Sequence, residues 1–270
     1  RDLSDDRPLS DPGQPVRVTP STVESVLACG LRWLLERNGG SNPPTAKQGI
    51  GNLVHAAAML VADPGVDAEA LRSYVTQRFD QIELPALWLG QRERDRAEKM
   101  VDKLLTWLSS NRREQLAIEE AFERRLEPDP SSPPVFLKGR VDRLERDEQG
   151  RLVVVDLKTG ANAPSLADAG VHPQLAAYQV AVEAGAFGQG AVSGGAEIVA
   201  IGTTSASATV RVQPPLAESE DPAWAEALVR QAASAMAAST FVAVVNGACP
   251  YCAVRTSCPI SGKGRQVTTG

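Results

Sequence analysis

GRVDRLERDEQGRLVVVDLKTG, residues 139–160, places an acid at 142, another at 156 and a lysine at 158 inside a stretch otherwise composed for a sheet. Val141, Leu144 and the run Leu152 to Val155 supply the apolar and β-branched content that strands use. DEQG at 147–150 supplies the Asp and Gly that tight turns favour. The stretch therefore predicts two strands joined by a polar turn. The unbroken apolar run of the second strand predicts burial on both faces, as in the middle of a sheet.

Side chains two apart in a strand leave the same face, so Asp156 and Lys158 share one. If the turn pairs the strands as a hairpin, Asp142 arrives from the partner strand beside them, in a register the sequence leaves open. Two carboxylates and a lysine at a strand end make a site for a hard cation with a positive group next to it.

Outward from this hairpin the chain is helical before and mixed after. SerThrValGlu at 21–24 has capping-box spacing and predicts a helix through about Arg37. Further helices are predicted over 46–61, 67–81 and 90–111. Strands follow over 119–127, 135–146 and 151–158, then a helix over 172–186, strands over 196–202 and 207–213, and a helix over 222–240. The order predicts an α/β fold with a mixed central sheet flanked by helices and a helical N-terminal part. Residues 1–20 read as a linker or arm, 21–262 as one domain and 263–270 as a tail. The glycine-rich stretch 185–195 is not placed between a strand and a helix start, so it reads as a connection rather than a phosphate loop.

The bulk composition sets bounds. With 270 residues and 43% hydrophobic content the chain can bury a large core. No apolar run reaches the ~18–20 residues of a membrane-spanning helix, and nothing at the N-terminus resembles a secretion signal. The expectation is a soluble, cytoplasmic chain, and the start at Arg1 suggests a piece of a longer polypeptide. A net charge of −5 excludes a uniformly basic coat but not a local basic track over an acidic site. Charges of alternating sign over 91–103 read as a solvated helix face with internal ion pairs.

GRVDRLE followed by VVVDLKTG resembles the paired motifs of the PD-(D/E)xK nuclease superfamily in its RecB-like branch. GIGNLVHAAAML at 49–60 is similar to that branch's Gly-xxx-His helix, and Gln174 with Tyr178 to its Gln-xxx-Tyr helix. Cys29, standing apart from a Cys-x2-Cys-x5-Cys trio at Cys249, Cys252 and Cys258, resembles the iron–sulfur subgroup found in AddB-type and AdnAB-type helicase–nucleases. The fold implied is restriction-endonuclease-like. The implied chemistry is phosphodiester hydrolysis with Mg²⁺ or Mn²⁺, with Asp142, Asp156 and Lys158 as catalytic residues. His55, Asp142, Asp156 and the main-chain carbonyl of Leu157 would be the metal ligands.

The resemblance further assigns Gln174 and Tyr178 to DNA positioning, and leaves Glu119, Glu120 or Glu123 as an extra acidic residue. It assigns the four cysteines to a 4Fe-4S cluster that staples the N- and C-terminal segments; read by themselves, the same cysteines also suit a tetrahedral zinc site. The setting implied is a bacterial helicase–nuclease that resects DNA ends for recombinational repair, fed single-stranded DNA by a helicase motor domain or partner subunit. Two alternatives remain: a nuclease-dead subunit that only channels DNA, and a stand-alone nuclease of CRISPR adaptation.

Overall fold

The expected hairpin forms the centre of a six-stranded sheet in the structure, a computed structural model that describes residues 6–11, 13–41, 45–60, 68–79 and 87–262. The expected tail at 263–270 lies outside the described residues. In chain order the elements are β1 (Val16–Val18), α1 (Pro20–Ala28), α2 (Gly30–Leu35), α3 (Ala46–Leu60), α4 (Ala68–Phe79) and α5 (Leu87–Ser110). They continue with β2 (Glu114–Arg125), β3 (Val135–Arg146), β4 (Leu152–Lys158), α6 (Leu166–Gly170), α7 (Pro173–Glu183), β5 (Ser193–Ala200), β6 (Thr209–Gln213) and α8 (Trp224–Ala237). Among the described residues no helix is long and apolar enough to cross a membrane.

The sheet is mixed. β2 and β4 pair antiparallel with β3, β5 lies parallel to β4, and β6 closes the edge antiparallel to β5. The stretch expected to be an arm instead contributes β1, which pairs parallel with β3 from Val16↔Val135 to Val18↔Leu137. Because β2 already occupies one edge of β3 at Phe136 and Leu137, β1 must take the other. That edge is also where β4 pairs, four residues of it, from Arg146↔Leu152 to Arg143↔Val155. β3 thus leaves one neighbour and takes another part-way along its length, so the sheet forks beyond Arg143↔Val155.

Helices cover both faces. Val154, Ala196 and Ile198 pack with residues of α1, α7 and α8 in one core. Val155, Leu157, Val199 and Ile201 pack with residues of α3, α4 and α5 in a second. The alternation along β4 is the period-2 geometry of a doubly covered strand. It bears out the expected mixed sheet flanked by helices.

The first expected helix breaks where continuity was predicted. Cys29 is extended (φ −168°, ψ 104°) between α1 and α2, and its N–H still bonds to Ser25 O at 3.2 Å. Cys29 caps α2 without a side-chain hydrogen bond, and the Leu31 N–H donates to Val242 O at 3.1 Å. The C-terminal segment thereby supplies a backbone partner at the break.

Candidate active site

Asp142 and Asp156 stand at the fork. Continuing the β3/β4 register by one residue beyond Arg143↔Val155 sets the two acids opposite each other. The ladder has ended there, so the Leu157 N–H has no strand carbonyl to meet. It donates instead to Asp142 Oδ2 at 2.7 Å. A side chain thus replaces the missing rung, which answers the demand of a buried backbone donor.

The two carboxylates lean toward different helical layers. Asp142 faces α3, where His55 Nδ1 lies 3.9 Å from its Oδ2. Ligand atoms of His55, Glu119 and Asp142 all lie within 4.8 Å of one another. Glu119 sits in β2 between the pairs Ile118↔Arg143 and Glu120↔Val141, hence across from Asp142. Its φ of +52° makes it the one non-glycine in the left-handed region among the described residues. Such a conformation costs about 1–3 kcal/mol and is kept where something else demands it. Of the three glutamates considered at the start of this strand, the structure brings Glu119 to the site.

Asp156 faces α7 and is 3% exposed. Gln174 Nε2 donates to its Oδ1 at 2.8 Å, and Lys158 Nζ donates to Gln174 Oε1 at 2.9 Å. Lys158 Nζ also stands 2.8 Å from Asp156 Oδ2 as an ion pair. Beyond that ion pair, the buried Oδ2 accepts no hydrogen bond among the described residues. Tyr178 stacks one turn behind, its hydroxyl donating to Arg140 O at 3.2 Å and lying 3.3 Å from Gln174 Nε2. Burial, with the charge of Asp156, pushes the Tyr178 phenol well above its ordinary value.

The expected shared face of Asp156 and Lys158 is therefore present. Gln174 and Tyr178, expected to help position DNA, have their polar atoms engaged inside the protein and are buried. Gln174 bonds both Asp156 and Lys158, and Tyr178 bonds Gln174 from behind. The expected ligand set grouped Asp156 with His55 and Asp142; in the structure Glu119 clusters with His55 and Asp142, and Asp156 stands outside that trio. The Asp142 carboxyl is pushed up to about 6, first by burial and then by the charge of Asp156.

Two glycines let the backbones close in. A Cβ on Gly51 would stand 2.7 Å from Thr159 Oγ1, so Gly51 seats α3 against the end of β4 and His55, one turn on, reaches Asp142. A Cβ on Gly202 would fall 1.9 Å from Thr159 O, which no side chain survives. The sequence reading missed His172, two residues ahead of Gln174. Its side chain is largely buried, its Nδ1 has no partner, and burial pulls its pKa down.

The four cysteines are free thiols that line one cavity of about 290 Å³, together with Arg32 and Arg255. Cys29 enters from the helix break. The trio comes from the C-terminal segment, which is tied to α1 by Asn246 Nδ2 donating to Ala28 O at 3.0 Å. The sulfurs are spread around the wall, with no three within 4.8 Å of one another.

The model of the PD-(D/E)XK nuclease superfamily matches residues 17–259. The chain belongs to that superfamily. Its PD-(D/E)XK match begins inside β1 and runs past all four cysteines. No curated protein matches the chain. The solved structure titled "Crystal structure of SSO0001" is 16% identical and aligns over 92% of this chain and 88% of that one, with a TM-score of 0.45. PD-(D/E)XK proteins are typically metal-dependent nucleases. The donor set fits that chemistry: an imidazole and two carboxylates converge, with the Asp156–Lys158 ion pair beside them.

Proposed function

We propose that the chain is a metal-dependent deoxyribonuclease domain whose catalytic residues are Asp142, Asp156 and Lys158. The observation that carries this reading is the fork, which brings two acids from paired strands and one lysine together where the β3–β4 ladder ends. His55, Asp142 and Glu119 would hold a divalent ion, with Asp156 and the main chain of Leu157 alongside. When bound, Mg²⁺ or Mn²⁺ supplies positive charge to the phosphate oxygens and acidifies the attacking water. Lys158, held by Gln174 and Asp156, keeps its ammonium group where negative charge develops on the phosphate in the transition state. Gln174 fixes the Asp156 carboxylate so that it need not reorganise during the reaction.

The finer setting is a RecB-like, iron–sulfur nuclease domain of a helicase–nuclease acting on DNA ends. The cysteine cavity supports it. Four thiols are soft donors suited to iron–sulfur ligation, and two arginines balance the negative charge such a centre carries. Tetrahedral zinc with bonds of about 2.3 Å needs sulfurs roughly 3.8 Å apart. The wider spread and the cavity's volume favour a larger group. It would join α1 to the C-terminal segment and act on stability.

The test is cleavage of labelled single-stranded and duplex DNA with Mg²⁺ or Mn²⁺. Asp156→Ala should abolish cleavage with the fold retained by circular dichroism, and Lys158→Ala should lower kcat by roughly 10²–10³-fold while keeping divalent binding. Wild-type rates in Asp156→Ala would overturn the site. A wild-type protein that binds metal and DNA yet never cuts would favour the channelling alternative.

A further inference from the structure

The alternating signs over 91–103 sort themselves in three dimensions. Arg92, Arg96, Lys99 and Lys103 are spaced four, three and four along α5, so they fall on one stripe. All four line a cleft of about 720 Å³, whose opposite wall is the segment 201–206. A second cleft of about 600 Å³ shares Arg92, Arg96, Gly202 and Thr204 with it and reaches Gly51, Thr159 and His55. Together they form a single path from Lys103 to the metal-ligand candidate His55.

The stripe is not neutralised as a solvated helix face would be. Asp95 and Asp102 line the same cleft, but Asp102 is paired with Arg72 at 2.7 Å and Asp95 accepts from Gln91 at 2.8 Å, which leaves four cations against two engaged acids on that lining. Glu93 pairs with Arg96 at 3.4 Å. Arg92 and Lys99 make no hydrogen bond or ion pair among the described residues. Lys103 loses proton affinity first to burial and then to the charges of Lys99 and Arg96, so these cations crowd one another.

Two tethers fix the walls. Lys103 Nζ donates to Thr203 O at 2.6 Å, and Arg96 donates to Thr159 O at 2.8 Å. The facing wall carries hydroxyls and no acid, with Thr203, Ser205 and Thr209 linked to one another.

Resting on the nuclease reading above, we propose that this cleft is the track along which the phosphate backbone of single-stranded DNA enters the site. Cations and hydroxyls position phosphates without reading bases, so the track is sequence-independent. The stripe spans about 16 Å at 1.5 Å per residue, the reach of a short run of nucleotides. Cations lie on the α5 wall and hydroxyls on the 201–206 wall, a lining suited to the phosphates of one strand.

The test uses fluorescently labelled oligothymidylate in Ca²⁺ or EDTA, titrated by anisotropy across a salt series. Arg92→Gln and Lys99→Gln should each weaken binding several-fold at moderate salt. Each should flatten the slope of log Kd against log salt by about 0.7, the value for one released counterion on a single strand. Arg146→Gln, off the track, should change neither. In Mg²⁺ or Mn²⁺ the variants should raise KM on oligonucleotides and leave hydrolysis of a small thymidine nitrophenyl phosphodiester unchanged.

Unchanged affinity and slope in the Arg92→Gln, Lys99→Gln double variant would overturn the track while leaving the nuclease reading intact. Binding with the predicted slopes but no cleavage of any substrate would sustain the track and remove the nuclease. Equal effects on blunt duplex and single strand would overturn the single-strand assignment.

Discussion

Gln174 Nε2 lies 2.8 Å from Asp156 Oδ1, a hydrogen bond made wholly inside the protein by two residues that are 6% and 3% exposed. The same amide accepts from Lys158 at 2.9 Å, so one side chain orients both the carboxylate and the ammonium group of the motif. Gln174→Leu should leave Asp156 Oδ1 without its donor, at a cost of about 1–3 kcal/mol. A lower Tm in EDTA and a larger loss in kcat than in KM are expected by calorimetry and steady-state kinetics. An unaltered kcat would mean that Gln174 fills space and positions nothing.

Asp142 gives the site a pH signature. Its folded-state carboxyl, pushed up to about 6 from an ordinary 3.8, holds a proton that the unfolded chain has already lost. The metal-free protein should therefore lose stability as pH rises from about 4 to 6, and level off above. A divalent ion must displace that proton, so Mn²⁺-induced gains in Tm should be full at pH 7.5 and shrink below pH 6. Asp142→Asn should abolish this dependence. Thermal shifts in EDTA and in Mn²⁺ across pH decide it, and a metal effect equal at pH 5 and 7.5 would contradict the assignment.

Gly51 and Thr159 should be coupled. Gly51→Ala adds a methyl 2.7 Å from Thr159 Oγ1, although Ala by itself favours a helix by roughly 0.8–1.0 kcal/mol. The single variant should push α3 away and weaken divalent binding through His55. Thr159→Ala in the same chain should restore binding and reveal the helix gain. A double-mutant cycle on metal affinity and Tm reads this coupling, and strict additivity would show that α3 is seated by other contacts.

Cys252→Ser tests the thiol cavity. Protein purified without oxygen should be brown, with close to four irons per chain, and the variant should lose both. Because metal-site free energy contributes to folding, residues 242–262 should become sensitive to limited proteolysis before any specific catalytic defect appears. Colourless wild-type protein with one zinc would replace the cluster, and a protease-resistant, fully loaded variant would end the staple.

Much of the site was legible because strand parity is local. Asp156 and Lys158 share a face by period 2 alone, and the apolar run before them announces a doubly covered strand. The fork was not legible, because it depends on β1 pairing with residues 135–137, and Val16–Val18 is too short to stand out within a polar arm. Glu119 could not be separated from Glu120 and Glu123, since a left-handed backbone at one residue of a strand leaves no composition signal. The basic stripe was present in the spacing of 92, 96, 99 and 103, yet reading signs in chain order hid it. The helix break at Cys29 escaped for the opposite reason: its neighbours favour a helix, and the partner at Val242 is far along the chain.

The position of β1 bears on how the molecule comes into being. The layer that holds Gln174 over Asp156 is assembled from residues 20–28, 173–183 and 224–237, and the fork above it requires residues 16–18 beside 135–137. Such distant pairings are reached late, because loop-closure entropy is lost before the contacts compensate. During vectorial synthesis the helices α3 to α5 and the β2–β4 meander emerge before α7 and α8, with both acids already made but not yet backed by those helices. A nascent chain would carry its acids without the geometry that makes them an enzyme. Hydrolytic capacity would therefore switch on with the last long-range contacts, in the finished molecule and not in its precursors.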